Sequence, residues 1–486
     1  MNYSVIRNIL GKMLLALAAM MVLPLIVSFI YQEGMTHYLA YIIPIAVLVL
    51  IGFLCNIKKA ENPKMLAREG IVIVGLSWLL ISLFGCIPFM LTGEIPNFFD
   101  AFFEASSGFT TTGASVVTDV TSLSHSVLFW RSFSHWVGGM GILVFILAII
   151  PESKDGSALH ILKAESPGPQ VGRLVSKMQV TSRILYLIYF VLTLALFLLL
   201  WLGPDKQMDL FNSILYSIGT AGTGGFAAHP QSLEYFSNYS QYVIAIFMFI
   251  FGVNFSLYYF LLIKNFKDIY KNDEIKWYGV IVAASVIVIG ISIYPIYQNF
   301  EQVFRLSFFQ VGTIISTSGY STANFNEWPS LAKIVLFILT FIGGCAGSTA
   351  GGFKLSRVII LFKSALRKFK NMIHPRKVEV LSVDGKTLTD DTIESVQNYF
   401  IIYVIVFLLC LFLISIDGFD LETNISAAAA CFNNVGPGFG LVGPYGSYSI
   451  FSGFSKLILS ITMLIGRLEL FPILLLFTPT VWRKRN

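Results

Sequence analysis

The 486-residue chain is 56% hydrophobic and 12% charged, with a formal net charge of +6. A soluble globular domain carries about 25% charged residues, so that class is excluded. So are disorder, by 43 Phe and 21 Tyr, and an outer-membrane barrel, by long unbroken apolar runs; an all-α polytopic membrane protein remains, with chain enough for ten spans of roughly 20 residues each.

Apolar stretches of spanning length fall at 13–30, 38–55, 69–92, 127–150, 182–202, 240–263, 277–297, 331–350, 396–415 and 454–478. The first follows Arg7 and Lys12 as a signal peptide would, but it continues to Ser28 and is read as a span. Positive charge alternates from loop to loop. Arg7 and Lys12, the cluster Lys58, Lys59, Lys64 and Arg68, the lysines and arginines of 154–183, 264–276 and 354–386, and Arg483, Lys484 and Arg485 share one side, whereas the four long opposite loops carry only Lys206 and Arg305. That asymmetry predicts both termini in the cytoplasm. The run Lys363, Arg367, Lys368, Lys370, Arg376 and Lys377 reads as a face toward anionic lipid or a cytosolic partner rather than nucleic acid. Cys55, Cys86, Cys345, Cys410 and Cys431 have neither CxxC nor metal spacing and are read as reduced and buried.

Each long outer loop holds an apolar stretch too short to span, then small residues: 98–115, 208–226, 300–322 and 421–440. Such stretches read as re-entrant half-helices, and the four align on Gly113, Gly224, Gly319 and Gly436 as copies of one design. The predicted layout is a helix pair (1–62), four span/half-helix/loop/span units (63–155, 175–270, 271–372, 396–486) around a central pore, and a cytoplasmic linker (373–395). Irregular backbone at membrane depth is tolerated where it lines a watery cavity, and half-helix C-termini carry partial negative charge, so the expected guest is a cation. The expected binding residues are Thr111, Thr112, Gly113; Gly222, Thr223, Gly224; Thr317, Ser318, Gly319; and Asn434, Val435, Gly436. None is ionisable, so carbonyls and hydroxyls would replace the hydration shell, with glycine supplying positive φ at little steric cost.

The glycine-rich segment 343–352 has two readings. It unwinds into a mobile loop under the binding site, since glycine costs about 1 kcal/mol in a helix, or Gly343, Gly347 and Gly351 form a packing stripe; the residues alone leave both open. Arg467, deep in an apolar segment, is a functional candidate by default, expected to point into the pore as an electrostatic barrier rather than to pair locally with Glu469. His135 and Trp136 read as an interfacial anchor. Asp100, Glu104, Asp209, Asp417, Asp420 and Glu422 give the outer mouth a negative cast. A GxGxxG match at 438–443 lacks the preceding strand and following acid of a dinucleotide site. No catalytic constellation, metal cluster or cofactor site is found, so an enzyme is not expected.

The loop quartet TTTGAS (110–115), TGGF (223–226), TSGYST (317–322) and NNVGPGFG (433–440) resembles that of the Trk-type potassium uptake proteins, within the wider superfamily of potassium transporters. The resemblance covers the whole chain, including the N-terminal helix pair. It implies a bacterial cytoplasmic-membrane protein that takes up potassium (rubidium as surrogate) through a channel-like filter, usually as a homodimer, with a cytosolic nucleotide-binding TrkA-type ring as partner. It also implies a gate made of Gly343, Gly344, Gly347, Gly351, Gly352 and Arg467, and favours potassium because position 113 is glycine. The alternative is a sodium-preferring or proton- or sodium-coupled cation symporter.

Overall fold

The computed structural model describes residues 1–58, 67–141, 178–375 and 379–482. The second half of the expected span 127–150, the following basic loop to Lys177, and Lys59, Lys64, Arg376, Lys377 and Arg483–Arg485 lie outside the described residues. Among the described residues, apart from one hairpin, β1 (Ser382–Val383) with β2 (Lys386–Thr387), the regular structure is helical.

Helices α1 (Tyr3–Ile30) and α2 (Met35–Asn56) form an antiparallel pair. A methyl built on Gly52 would stand 2.9 Å from the Gly11 carbonyl oxygen; small residues let the backbones approach this closely. A common order then occurs four times: a long helix, a short helix, a loop and a second helix. The first set is α3 (Ala67–Gly85), α4 (Ile87–Leu91), the short α5 (Phe98–Phe109) and α6 (His125–Gly139). The second is α7 (Met178–Trp201), the short α8 (Leu210–Gly222), α9 (Asn238–Phe251) and α10 (Phe255–Leu262), followed by the connecting α11 (Phe266–Lys271). The third is α12 (Asp273–Tyr297), the short α13 (Phe300–Ile315), α14 (Ser330–Ile342) and α15 (Leu355–Ile373). The fourth is α16 (Asp390–Ile414), the short α17 (Leu421–Phe432), α18 (Gly453–Arg467), α19 (Phe471–Leu476) and α20 (Pro479–Trp482).

Packing runs in a circle. Each short helix lies on the second helix of the set before it: α8 on α6, α13 on α9, α17 on α14, and α5 on α18. Apolar side chains cover the outside of the circle, as lipid-facing helices require: Phe53, Leu187, Ile291 and Phe412 are all exposed.

Six helices are long and apolar enough to cross a membrane among the described residues, and a seventh counting a bent pair. Three expected spans are therefore corrected. The stretch 240–263 is α9 and α10, bent by 91° at Gly252–Asn254. The stretch 331–350 stops at Ile342, where Gly343 takes φ +69°. The stretch 454–478 breaks after Arg467, because Glu469 (φ +53°) and Leu470 (φ +73°) leave the helical region. Apolar length reports burial, not continuity of the helix.

Candidate functional site

The four short helices begin and end alike. Each opens with an Asn or Asp whose side chain accepts a backbone N–H: Asn97 from Phe99 (2.8 Å), Asp209 from Asn212 (2.7 Å), Asn299 from Gln302 (3.3 Å) and Asp420 from Thr423 (3.1 Å). These are N-caps, a role that short polar acceptors fill best. Each helix closes with a six-residue turn. The N–H groups of Thr112, Gly224, Ser318 and Val435 donate to the carbonyls of Ser107, Gly219, Thr313 and Ala430 at 2.8–3.0 Å. The residue before each donor is left-handed: Thr111 (φ +57°), Thr223 (φ +54°), Thr317 (φ +56°) and Asn434 (φ +54°). Glycine or asparagine normally occupies this position of the Schellman motif. A β-branched residue there is strained by about 1–3 kcal/mol and marks a position held for a purpose.

The loops that follow touch in a closed ring. A methyl built on Gly113 would stand 2.6 Å from the Gly225 nitrogen, one on Gly225 2.5 Å from the Ser318 oxygen, one on Gly319 against the Val435 carbonyl, and one on Gly436 2.5 Å from the Thr112 oxygen. Only glycine permits backbones this close. In the second loop the ring position is Gly225, not Gly224 as aligned from sequence. Thr223 takes the left-handed corner and the Gly224 N–H closes the turn, so the register shifts by one; two adjacent glycines hid this. Gly224 instead faces the His135 ring, and Gly222 ends α8 against the His135 backbone.

Thr111, Thr112, Thr223, Thr317, Ser318, Asn434 and Val435 are all buried. Among the described residues, nothing donates a hydrogen bond to the backbone oxygens of Thr111, Thr112, Thr223, Gly224, Thr317, Ser318, Asn434 or Val435. Buried carbonyls are almost always paired, and these eight, two from each loop, lie in the segments that the four close glycine contacts bring together. Hard oxygen donors without carboxylates suit a weakly held cation. The Thr111 hydroxyl also lacks a partner, while the Asn434 amide donates to the Thr112 hydroxyl (3.0 Å) and ties the last loop to the first.

Behind the ring lie charges that the sequence reading assigned elsewhere. Glu104 is wholly buried and pairs with Arg131 at 2.8 Å, so it is not part of an acidic mouth. It accepts from Val116 N–H (3.0 Å) and the Ser115 hydroxyl (2.9 Å), and Arg131 donates to the Ala227 carbonyl (3.4 Å) with its guanidinium 4.2 Å from the Phe226 ring centre. The pair thereby ties the first loop to the second. The other acids also have structural posts: Asp100 pairs with Lys456 (2.6 Å), Glu422 with Lys333 (3.1 Å), and Asp417 caps Ser452 (2.8 Å). Breaking a buried pair leaves an uncompensated charge, at about 3–5 kcal/mol. Glu104→Ala is accordingly expected to lower the thermal midpoint of the purified protein steeply, whereas Glu422→Ala, at an exposed pair, leaves it nearly unchanged; equal shifts in a melting experiment would refute the staple.

His135 is buried, not an interfacial anchor: Nδ1 donates to the Gly108 carbonyl (2.8 Å) and Nε2 accepts from Phe226 N–H (3.3 Å). Trp136 is half-buried and donates to the Thr193 hydroxyl (3.3 Å).

Residues 343–354 form a loop between α14 and α15, so a helical glycine stripe is excluded. It folds on itself, with a methyl on Gly343 reaching 2.7 Å from the Gly351 oxygen. It rests on the α9–α10 bend, where Cys345 N–H donates to Gly252 and Phe255 N–H to Gly347, both at 3.0 Å. Gly344 packs on the Gly252 carbonyl, and Gly352 on Gly343. Its tip meets the ring: Gly351 N–H donates to the Thr317 hydroxyl at 2.7 Å. Arg467 donates to the Thr349 carbonyl (2.9 Å) and to those of Gly138 (2.5 Å) and Gly139 (2.7 Å), joining this loop to the end of α6.

Three further residues escaped sequence reasoning. Glu274, in the first turn of α12, accepts from Ala346 N–H (2.8 Å) and Ser356 N–H (3.0 Å), clamping both ends of the loop. Lys354 donates to the Ala350 carbonyl, and Arg357 pairs with Glu469. All three charged groups are buried, though their sequence neighbours read as solvated loop; no local signal separates them from true surface lysines and arginines.

The family profile TrkH, described as a cation transport protein, matches residues 35–484. The Trk system potassium uptake protein TrkH of Escherichia coli (strain K12) is 34% identical over all of both chains. The Trk system potassium uptake protein TrkG of the same strain is 31% identical over 99% of this chain and 98% of its own. The crystal structure of the potassium transporter TrkH from Vibrio parahaemolyticus superposes with a TM-score of 0.88 at 31% identity, covering 99% of this chain and 100% of that one. With its apolar helices, the chain is a multi-pass membrane protein of a transport family, not an enzyme family. The chain belongs to the TrkH family of cation transport proteins.

Proposed function

We propose that the chain takes up potassium ions, passing them single file through the ring of four loops, with 343–352 and Arg467 as the gate below it. One observation carries this reading: eight carbonyl oxygens of buried residues, two per loop, have no hydrogen-bond donor among the described residues where four glycines bring the loops together. Carbonyl dipoles can stand in for the hydration shell of a cation and release it again, and four half-helix C-termini add negative potential. The curated relatives are named potassium uptake proteins, which supports potassium as the ion. Gly113, Gly225, Gly319 and Gly436 would set the spacing of the filter; Gly225 takes the ring position expected of Gly224, the Gly224 carbonyl stays among the eight, and Gly222 leaves the expected set. The loop tip reaches the Thr317 hydroxyl, and Arg467 holds that loop; a gate needs such a contact.

The charge asymmetry of the loops supports cytoplasmic termini, with the four-loop ring toward the outside and α15 toward the cytosol. A TrkA-type nucleotide-binding ring would meet the basic face of α15. The words "Trk system" in the relatives' names support a multicomponent assembly, and a homodimer is the proposed oligomer. The test is rubidium and sodium uptake by proteoliposomes holding the purified chain. Rubidium flux above sodium flux, without an imposed proton gradient, is expected. Sodium flux in excess would make the protein a sodium transporter, and flux only with a proton gradient would make it a coupled symporter.

A further inference from the structure

Two adjacent residues, starting two positions after Arg467, carry a backbone conformation that side chains rarely adopt. Glu469 (φ +53°) and Leu470 (φ +73°) are both buried. Such strain persists only where the surroundings hold it. The backbone closes the kink locally, with Leu470 N–H donating to the Ile465 carbonyl (2.9 Å), and one long-range pair ties it to another helix: the Glu469 carboxylate meets the Arg357 guanidinium, in the first turn of α15. Arg357 is fixed in turn by the Phe353 carbonyl (3.0 Å) and by the Tyr399 ring, whose centre lies 4.2 Å from the guanidinium. Lys354, between the loop and α15, is itself left-handed (φ +77°) and bonds back to Ala350 within the loop. Glu274 accepts from both Ala346 and Ser356, so the loop and the start of α15 share one anchor.

These contacts make one mechanical chain. It runs from α15 through Arg357 to Glu469, two residues from Arg467, and from Arg467 to the loop carbonyl of Thr349. A cavity of about 330 Å³ flanks the pair, lined by Arg357, Glu469, Tyr399, Asp391, Thr392 and Ser395. The pair therefore has room on one side to separate, unlike a close-packed core contact.

We infer that Arg357 and Glu469 are positioning residues that latch loop 343–354 and Arg467 together in the shut state, so that a displacement of α15 releases both at once. This rests on the reading of 343–354 and Arg467 as a gate. A bistable element biased from one end is how a cytosolic signal acting on α15 would reach the ring.

The test uses the full-length protein in proteoliposomes at matched incorporation. Glu469→Gln and Arg357→Gln are each expected to raise rubidium flux about tenfold. The exchanged pair, Arg357→Glu with Glu469→Arg, restores the pairing and is expected to return flux to within about twofold of the parent. A readout independent of conduction is the labelling rate of Ser348→Cys by a charged thiol reagent applied from the α15 side; Glu469→Gln should raise it about tenfold and the exchanged pair should reverse it. Singles that lower flux without rescue by the exchange would give the pair a merely structural role and overturn the latch, as would an unchanged labelling rate. A parent without rubidium flux whose labelling still follows the pair would overturn the potassium reading and leave the latch standing.

Discussion

Gly113→Ser is expected to remove most of the preference for rubidium over sodium, by about tenfold or more. Gly113 sits at φ +79°, and any Cβ there would stand 2.6 Å from the Gly225 nitrogen, a backbone atom that cannot turn aside. The left-handed strain alone is about 1–3 kcal/mol, and each 1.4 kcal/mol is about tenfold in an equilibrium. The ring must then widen between its first and second loops, and the carbonyls of Thr112 and Gly224 lose the spacing that makes one ion cheaper to hold than another. Gly93→Ser is the matched control: it has φ +80° but open space around it, so it shares the backbone strain and should leave the ratio unchanged. Paired rubidium and sodium uptake measures both. An unaltered ratio in Gly113→Ser would separate selectivity from the ring.

Arg467→Ala is expected to raise flux by about ten- to a hundredfold. Two unit charges roughly 6 Å apart at an effective dielectric near 20 interact by about 2.8 kcal/mol, a barrier of about a hundredfold for a passing cation before water screens it. The same substitution removes the donors to Thr349, Gly138 and Gly139, freeing the loop. Charge and anchoring are separable. Arg467→Lys keeps the charge but loses the fork that reaches several carbonyls at once, so it should give a smaller rise. Equal effects of Ala and Lys would assign the role to anchoring alone; a fall in both at matched incorporation would mean that Arg467 is not a barrier.

Much of the frame is legible along the chain because its signals are local. Apolar runs of spanning length, and small residues after a short apolar stretch, each occupy a short window of sequence, whereas the caps at Asn97 and Asp420 were not read from it. The register of the second loop was not legible: Gly224 and Gly225 are chemically identical, and only the left-handed turn at Thr223 decides which one faces Gly113. The choice between a glycine stripe and a loop at 343–352 was equally open, since the same spacing serves both until Glu274 and the α9–α10 bend supply partners for its backbone. His135 misled for a related reason. A polar side chain at the start of an apolar run belongs at an interface unless something buried accepts its proton, and that acceptor, the Gly108 carbonyl, lies 27 residues away.

By itself the sequence determined that this is a polytopic helical membrane protein, and it marked four short apolar stretches followed by glycine-bearing loops, because composition and period are properties of neighbouring residues. The tertiary structure alone decided which glycines meet, which charges are buried and which of those pair. Glu104 with Arg131 and Arg357 with Glu469 come together only when separate helices pack, the second pair across 112 positions. A charge buried in a membrane protein needs a counter-charge, backbone carbonyls or a watery cavity to receive it, and nothing in the linear spacing of residues says which it will meet.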